Sequence, residues 1–134
     1  MPQLQLEKLE KIFKNYPEIQ AVYLFGSRAS GQIHDESDID LAVFSEKPEI
    51  SLRKLDILAD LAREGFCIVD LVFLPEDDIV LQHEAVRLNC IVYQRPDYDA
   101  SSAYSLVIRK YLDFLPYLEV QRKAYKKRIN DGKT

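Results

Sequence analysis

The stretch from Leu24 to Phe44, LFGSRASGQIHDESDIDLAVF, constrains this chain most. It opens at the end of one apolar run, turns through Gly26-Ser27-Arg28, crosses a polar loop, and enters a second apolar run carrying Asp38 and Asp40. Short apolar runs rich in Ile, Val, Leu, Tyr and Phe between Gly and polar clusters read as strands. Side chains alternate along a strand, so Asp38, Asp40 and Ala42 share one face and Ile39, Leu41 and Val43 the other. Taken alone, the two aspartates read equally well as surface charges at the mouth of an edge strand. The Gly-Ser turn beside them can open a helix, whose N-terminus favours anions. A divalent cation that joins the carboxylates to a phosphate reconciles an acidic pair with such a turn.

The remaining pattern supplies the frame. Leu6, Leu9, Ile12 and Phe13 predict an amphipathic helix over 4–15, ended before Pro17. Strands are expected at Ile19–Phe25 and Asp38–Phe44. Ser51 is placed to cap a helix running to Arg63, with Leu52, Leu55, Leu58, Ala59 and Ala62 as its buried stripe and Gly65 as its stop. Phe66–Leu74 is a third strand, apolar on both faces except at Asp70 and ended by Pro75. A helix over Glu76–Asn89, a strand over Cys90–Gln94, and a long helix from Asp97 to about Arg128, interrupted at Pro116, complete the chain. The alternation implies an α/β (α+β) fold with a small sheet of about four strands flanked by helices. With 134 residues the chain is read as one domain, 1–134, with a core over about 1–95 and a C-terminal helical segment over about 97–130.

Composition narrows the function classes. The net charge of −4 does not favour direct nucleic-acid binding, although 122–133 is basic while 35–40 is acidic. No apolar run approaches the roughly 18 residues a membrane span needs, and the charged, amphipathic N-terminus is unlike a signal peptide. Cys67 and Cys90 lie in apolar runs and read as buried thiols of a reducing compartment, so the expected location is cytoplasmic. There is no GxxxxGK[ST] P-loop and no GxGxxG turn. His34 and His83 make no zinc-like pattern; His34 reads as an exposed loop residue or a neighbour of the nucleotide, and His83 as surface or half-buried.

Asp70 tips the reading of the acidic pair. An unpaired buried carboxylate is costly, so one in the middle of an apolar strand calls for a cation, a hydrogen-bond network or a metal. If the second and third strands are neighbours, Asp38, Asp40 and Asp70 converge on one face. Grouped oxygen ligands suit magnesium, which takes its remaining ligands from water and phosphate, and two ions could be held. Gly26 lets the backbone approach a phosphate, Ser27 offers it an N–H and a hydroxyl, and Arg28 adds charge.

Gly26-Ser27, ten residues, then Asp38-x-Asp40, with Asp70 on a later strand, resembles the motif of the nucleotidyltransferase superfamily that includes DNA polymerase beta. The small size is similar to the minimal nucleotidyltransferases, most of all the antitoxins of HEPN/MNT toxin–antitoxin pairs. The motif covers 24–44 and 66–74; the general similarity extends to about Gln94. The resemblance implies a nucleotidyltransferase fold with a small mixed sheet and a long C-terminal helix. It implies that Asp38 and Asp40 bind magnesium, that Asp70 completes the metal site and helps activate the incoming hydroxyl, and that Ser27, beside Gly26 and Arg28, holds the triphosphate of ATP. The reaction it implies is transfer of AMP from ATP to a tyrosine hydroxyl of a HEPN ribonuclease toxin, in a heteromeric complex that silences the toxin. The chain lacks the R-x4-H-x-Y motif of that toxin. Two alternatives stay open: a small-molecule, antibiotic-type nucleotidyltransferase, and a module that neutralises its partner by binding alone. The large apolar residues between Tyr104 and Leu118 outnumber what one helix needs to close a core, so some are available to a partner. The basic tail reads as a solvated end or as a contact for an acidic partner or RNA.

Overall fold

Helical and strand periods along the chain resolve into four strands and four α-helices in a computed structural model that describes residues 3–25, 39–74 and 78–131. The order is α1 (Gln3–Phe13), β1 (Ile19–Phe25), β2 (Ile39–Ser45), a 3-10 helix (Pro48–Arg53), α2 (Lys54–Arg63), β3 (Val69–Phe73), α3 (Ile79–Val86), β4 (Ile91–Gln94) and α4 (Ala100–Asp131). The sheet is mixed, in the order β3-β2-β1-β4. β1 pairs antiparallel with β2 and β4, whereas β2 and β3 are parallel. Parallel neighbours cannot be joined by a hairpin, so the 3-10 helix and α2 form the crossover between β2 and β3.

Alternation along the strands divides the apolar residues between two cores. On one face Val22, Leu24, Ile39, Leu41, Val43 and Leu71 meet Leu9, Ile12 and Phe13 of α1 and Ile57 and Leu61 of α2. On the other, Ala21, Tyr23 and Ala42 meet Ala85 and Val86 of α3 and Val107 of α4. The central strands are buried on both sides, which explains why β1 and β2 read as continuous apolar runs.

Local signals set the helix ends. Asp78 accepts the backbone N–H of Leu81 at 3.1 Å and caps α3, and Asp99 accepts that of Ser102 at 3.1 Å and caps α4. Gly65, at φ 95°, ends α2 as expected: its N–H reaches the carbonyl of Ala62 (3.0 Å), and Phe66 N–H reaches that of Leu61 (2.9 Å). This pair of bonds requires the left-handed backbone that glycine adopts without cost.

Four expectations need correction. Leu52 and Leu55 are 84% and 80% exposed, Ala59 and Ala62 are also exposed, and the buried stripe of this segment is Ile50, Ile57 and Leu61. Apolar side chains surround α2, and the chain enters it through a 3-10 turn of different period, so spacing alone could not choose the face. Ser51 does not cap α2; its hydroxyl donates to Pro48 O at 3.1 Å within the 3-10 helix. Cys67 is exposed ahead of β3 and Cys90 is half-buried. Finally, α4 runs on through Pro116, whose missing N–H costs one bond to the carbonyl of exposed Leu112. Among the described residues no helix is long and apolar enough to cross a membrane.

Polar ties fasten elements that the sheet does not. Arg95, just past β4, donates to Asp97 (2.5 and 3.0 Å), to the carbonyl of Pro17 (2.9 Å) and to Glu46. These bonds hold the Glu46 and Asp97 carboxyls below their usual range. Tyr16 donates to Asp60 at 2.6 Å, joining the turn after α1 to α2, with the Arg53 guanidinium 4.6 Å from its ring centroid. Burial first, then the bond to Asp60, pushes the Tyr16 phenol up to about 12.

Two measurements check this packing. Ile57→Ala and Leu61→Ala are expected to lower unfolding free energy by roughly 2–5 kcal/mol, whereas Leu52→Ala and Leu55→Ala stay within about 0.5 kcal/mol. The reverse ranking in urea unfolding would mean that α2 is turned the other way. The fold favours the neutral Tyr16 phenol, so its stabilisation is complete below pH ~10 and is lost as pH rises towards ~12. Tyr16→Phe should cost about 0.5–1.5 kcal/mol at neutral pH and flatten the decline in stability across that window. An equally steep decline in the variant would assign it to other groups.

Candidate active site

Asp40 and Asp70 are each the second residue of their strands, and the parallel register of β2 and β3 sets them directly beside each other. Phe25, the last residue of β1, lies opposite Asp40 on its other side. Adjacent strands are about 4.8 Å apart and side chains in one row share a face. The row Phe25–Asp40–Asp70 therefore presents an aromatic ring and two carboxylates on the α3/α4 side of the sheet, at the end where β1 stops and β2 begins. The next row on that face, Tyr23, Ala42 and Val72, is its apolar floor.

Asp40 is half-buried and Asp70 is exposed. The expectation that Asp70 is a buried carboxylate in need of compensation is thus corrected. β3 is an edge strand, and α3 and α4 pack over Tyr23 and Ala42 rather than over Asp70. The expected neighbourhood of the two strands is observed, and it brings Asp40 and Asp70 together. Gly26, Ser27, Arg28, His34 and Asp38 lie outside the described residues, as does Pro75. Among the described residues no group of three or more His, Cys, Asp or Glu is placed to hold a metal ion; Asp40 and Asp70 form a pair.

The face below the pair holds polar groups that the spacing did not single out. The hydroxyls of Tyr23 and Tyr98 are 2.8 Å apart. Burial, followed by this hydrogen bond, pushes the Tyr23 phenol far above its usual range, and burial raises that of Tyr98 too. Both stay neutral, so the acidic row rests on an uncharged support. A tyrosine in an apolar run signals burial but not its partner 75 positions away. His83, half-buried on α3 as expected, stacks on Tyr111 of α4, with ring centroids 3.6 Å apart at 4°. The stack pins α4 to α3, and no acidic group of the row belongs to it.

As a donor set, two neighbouring carboxylates at the rim of a sheet are hard oxygen ligands with one side open to solvent. That chemistry fits a magnesium ion, which keeps waters and accepts phosphate oxygens.

The chain is similar to known proteins in sequence and in fold. The family model described as polymerase beta, nucleotidyltransferase, matches residues 7–98, which include all four strands, both aspartates, most of α1, and α2 and α3. A protein adenylyltransferase, MntA, of Shewanella oneidensis is 36% identical over 87 residues, 64% of this chain and 63% of the relative's own length. A chain from the crystal structure of a toxin–antitoxin pair with AMP-PNP superposes with a TM-score of 0.71 at 26% identity, covering 92% of this chain and 97% of that one. A chain from the complex of tri-AMPylated Shewanella oneidensis HEPN toxin with MNT antitoxin gives 0.68 at 26% identity, covering 96% and 98%. The mixed four-stranded sheet with its flanking helices is the nucleotidyltransferase fold, and the chain belongs to the polymerase beta nucleotidyltransferase family.

Proposed function

We propose that this chain is an antitoxin that transfers AMP from ATP to a tyrosine hydroxyl of a HEPN-family toxin, silencing it. The observation that carries the reading is the in-register pair Asp40–Asp70 on one sheet face, in a chain of the nucleotidyltransferase family. The identity of 36% to a protein adenylyltransferase and the likeness to a chain from an AMPylated toxin–antitoxin complex support the choice of a protein acceptor.

In this reading Asp40, Asp70 and, two positions before Asp40, Asp38 would hold one or two magnesium ions. Bound there, magnesium supplies charge neutralisation for the triphosphate and the departing pyrophosphate. Gly26, Ser27 and Arg28, which follow Phe25 in the chain, would bind the triphosphate through backbone N–H, hydroxyl and guanidinium groups. The acceptor phenol oxygen attacks the α-phosphorus, the bond from that phosphorus to the bridging oxygen breaks, and pyrophosphate leaves. Asp70 is exposed at the sheet edge, where an incoming hydroxyl can reach it and hand over its proton. Asp40, set between Phe25 and Asp70, serves the nucleotide side of the row.

Intact mass of the HEPN partner, co-expressed with the wild-type chain, with Asp40→Asn or with Asp70→Asn, tests the proposal. The wild type should add AMP-sized increments. Both variants should slow the transfer by at least about a hundredfold, and Asp70→Asn, on an exposed side chain, should shift stability by no more than ~0.5 kcal/mol. A partner that stays unmodified beside the wild type, yet bound and inactive, would make this chain a masking module. Full transfer by Asp70→Asn would remove Asp70 as the base.

A further inference from the structure

α4 is longer than the body it packs on. Its 32 residues span about 48 Å, whereas a seven-residue strand such as β1 spans only about 23 Å. The first half is held by Tyr104, Val107 and Tyr111 against α3 and the sheet. From Glu119 to Ile129 every residue is exposed. That half is nonetheless not a purely polar helix. Tyr117, Val120 and Tyr125 are 68%, 67% and 63% exposed, and Arg122, Lys123, Lys126, Lys127 and Arg128 stand among them. Residues 117–129 carry five basic groups and one acidic, a net +4 in a chain of net −4, so the rest of the chain carries −8.

Two comparisons bear on α4. The match to the family model ends at residue 98, before α4 begins. The chain from the toxin–antitoxin structure with AMP-PNP covers 92% of this chain, leaving about 11 of the 134 residues unmatched, fewer than the 36 that follow Tyr98. Most of α4 is therefore shared with a chain that comes from a two-protein complex and is absent from the general family pattern.

We infer that residues 117–129 of α4 are the docking surface for the protein acceptor, and that the acceptor meets them with an acidic surface around an apolar centre. The inference rests on the proposed adenylyltransferase reading for the acceptor's identity. Large amphipathic side chains surrounded by like charges match the composition of a protein interface, and opposite charge on the partner steers encounter. The surface binds the whole acceptor, leaving its tyrosine to be presented to the Asp40–Asp70 row.

Equilibrium affinity for the HEPN partner tests this with two independent variants of the full chain, Lys123→Glu/Lys126→Glu/Lys127→Glu and Tyr117→Ser/Tyr125→Ser. All five positions are exposed, and circular dichroism with thermal unfolding verifies that each variant stays folded. Each should weaken Kd for the partner by at least about tenfold. Raising salt should weaken the wild type more than the charge-reversed variant. In transfer assays KM for the partner should rise, while kcat at saturating partner and KM for ATP stay within about twofold. Asp40→Asn should bind the partner as the wild type does without modifying it. Unchanged Kd in both variants would overturn the docking surface, and so would loss of binding to poly(A) RNA, or of self-association, with partner affinity intact. A wild type that binds but never modifies its partner would overturn the catalytic reading alone, because Kd reports docking without any transfer.

Discussion

The parallel pairing of β2 with β3 is the constraint on which the rest depends. It forces the chain to leave the sheet after β2 and return through the 3-10 helix and α2, whose Ile57 and Leu61 seal one face. It also fixes the register that sets Asp40 beside Asp70. Like charges directly opposite on neighbouring strands destabilise a sheet by roughly 0.2–1 kcal/mol. Here two acids stand side by side at the rim of a largely apolar sheet, the kind of local conflict that functional sites commonly hold. Slipping β3 by one residue would turn Asp70 to the α2 face and Leu71 out of the core, so the same burial that stabilises the sheet also positions the acid.

The surroundings keep that row in place. Leu41, Val43 and Leu71 lock the strands from the α1/α2 side. On the other side the neutral Tyr23–Tyr98 pair and the aromatic packing beneath it form the floor. Arg95 ties the exit of β4 to the entry of β1 and the exit of β2, at the end of the sheet away from the carboxylates. The sheet with its two apolar layers thus carries the acids on its edge, where Asp70 is exposed. The C-terminal half of α4 adds a charged and aromatic arm without touching the apolar layers.

Much of this was legible in the sequence. β1 falls on Ile19–Phe25 as expected, and β2, β3 and β4 fall within a residue to three of their predicted ends, because apolar runs between turns leave few alternatives. The shared face of Asp40 and Asp70 followed from alternation once the strands were neighbours. What failed was burial. The buried face of α2 is not legible from spacing, because Leu55, Ile57, Leu58, Ala59, Leu61 and Ala62 nearly encircle the helix. Asp70 and Cys67 have apolar neighbours that suggest burial, yet β3 is an edge strand and Cys67 stands ahead of it, and strand position in the sheet is a tertiary fact. Pro116 suggested a break, whereas at an exposed helix position the lost hydrogen bond is tolerated. Gly26, Ser27, Arg28 and Asp38 lie outside the described residues, so their part in the site rests on the motif.

In the proposed mechanism Asp40 and Asp70 act together on one metal–nucleotide group. Calorimetric titration of magnesium into the chain, with a non-hydrolysable ATP analogue present, tests it most directly. The wild type should bind magnesium, and Asp40→Asn and Asp70→Asn should each weaken that binding at least about tenfold. Magnesium and nucleotide affinities equal to the wild type's in both variants would contradict it, and would reduce the pair to surface charge on a sheet edge.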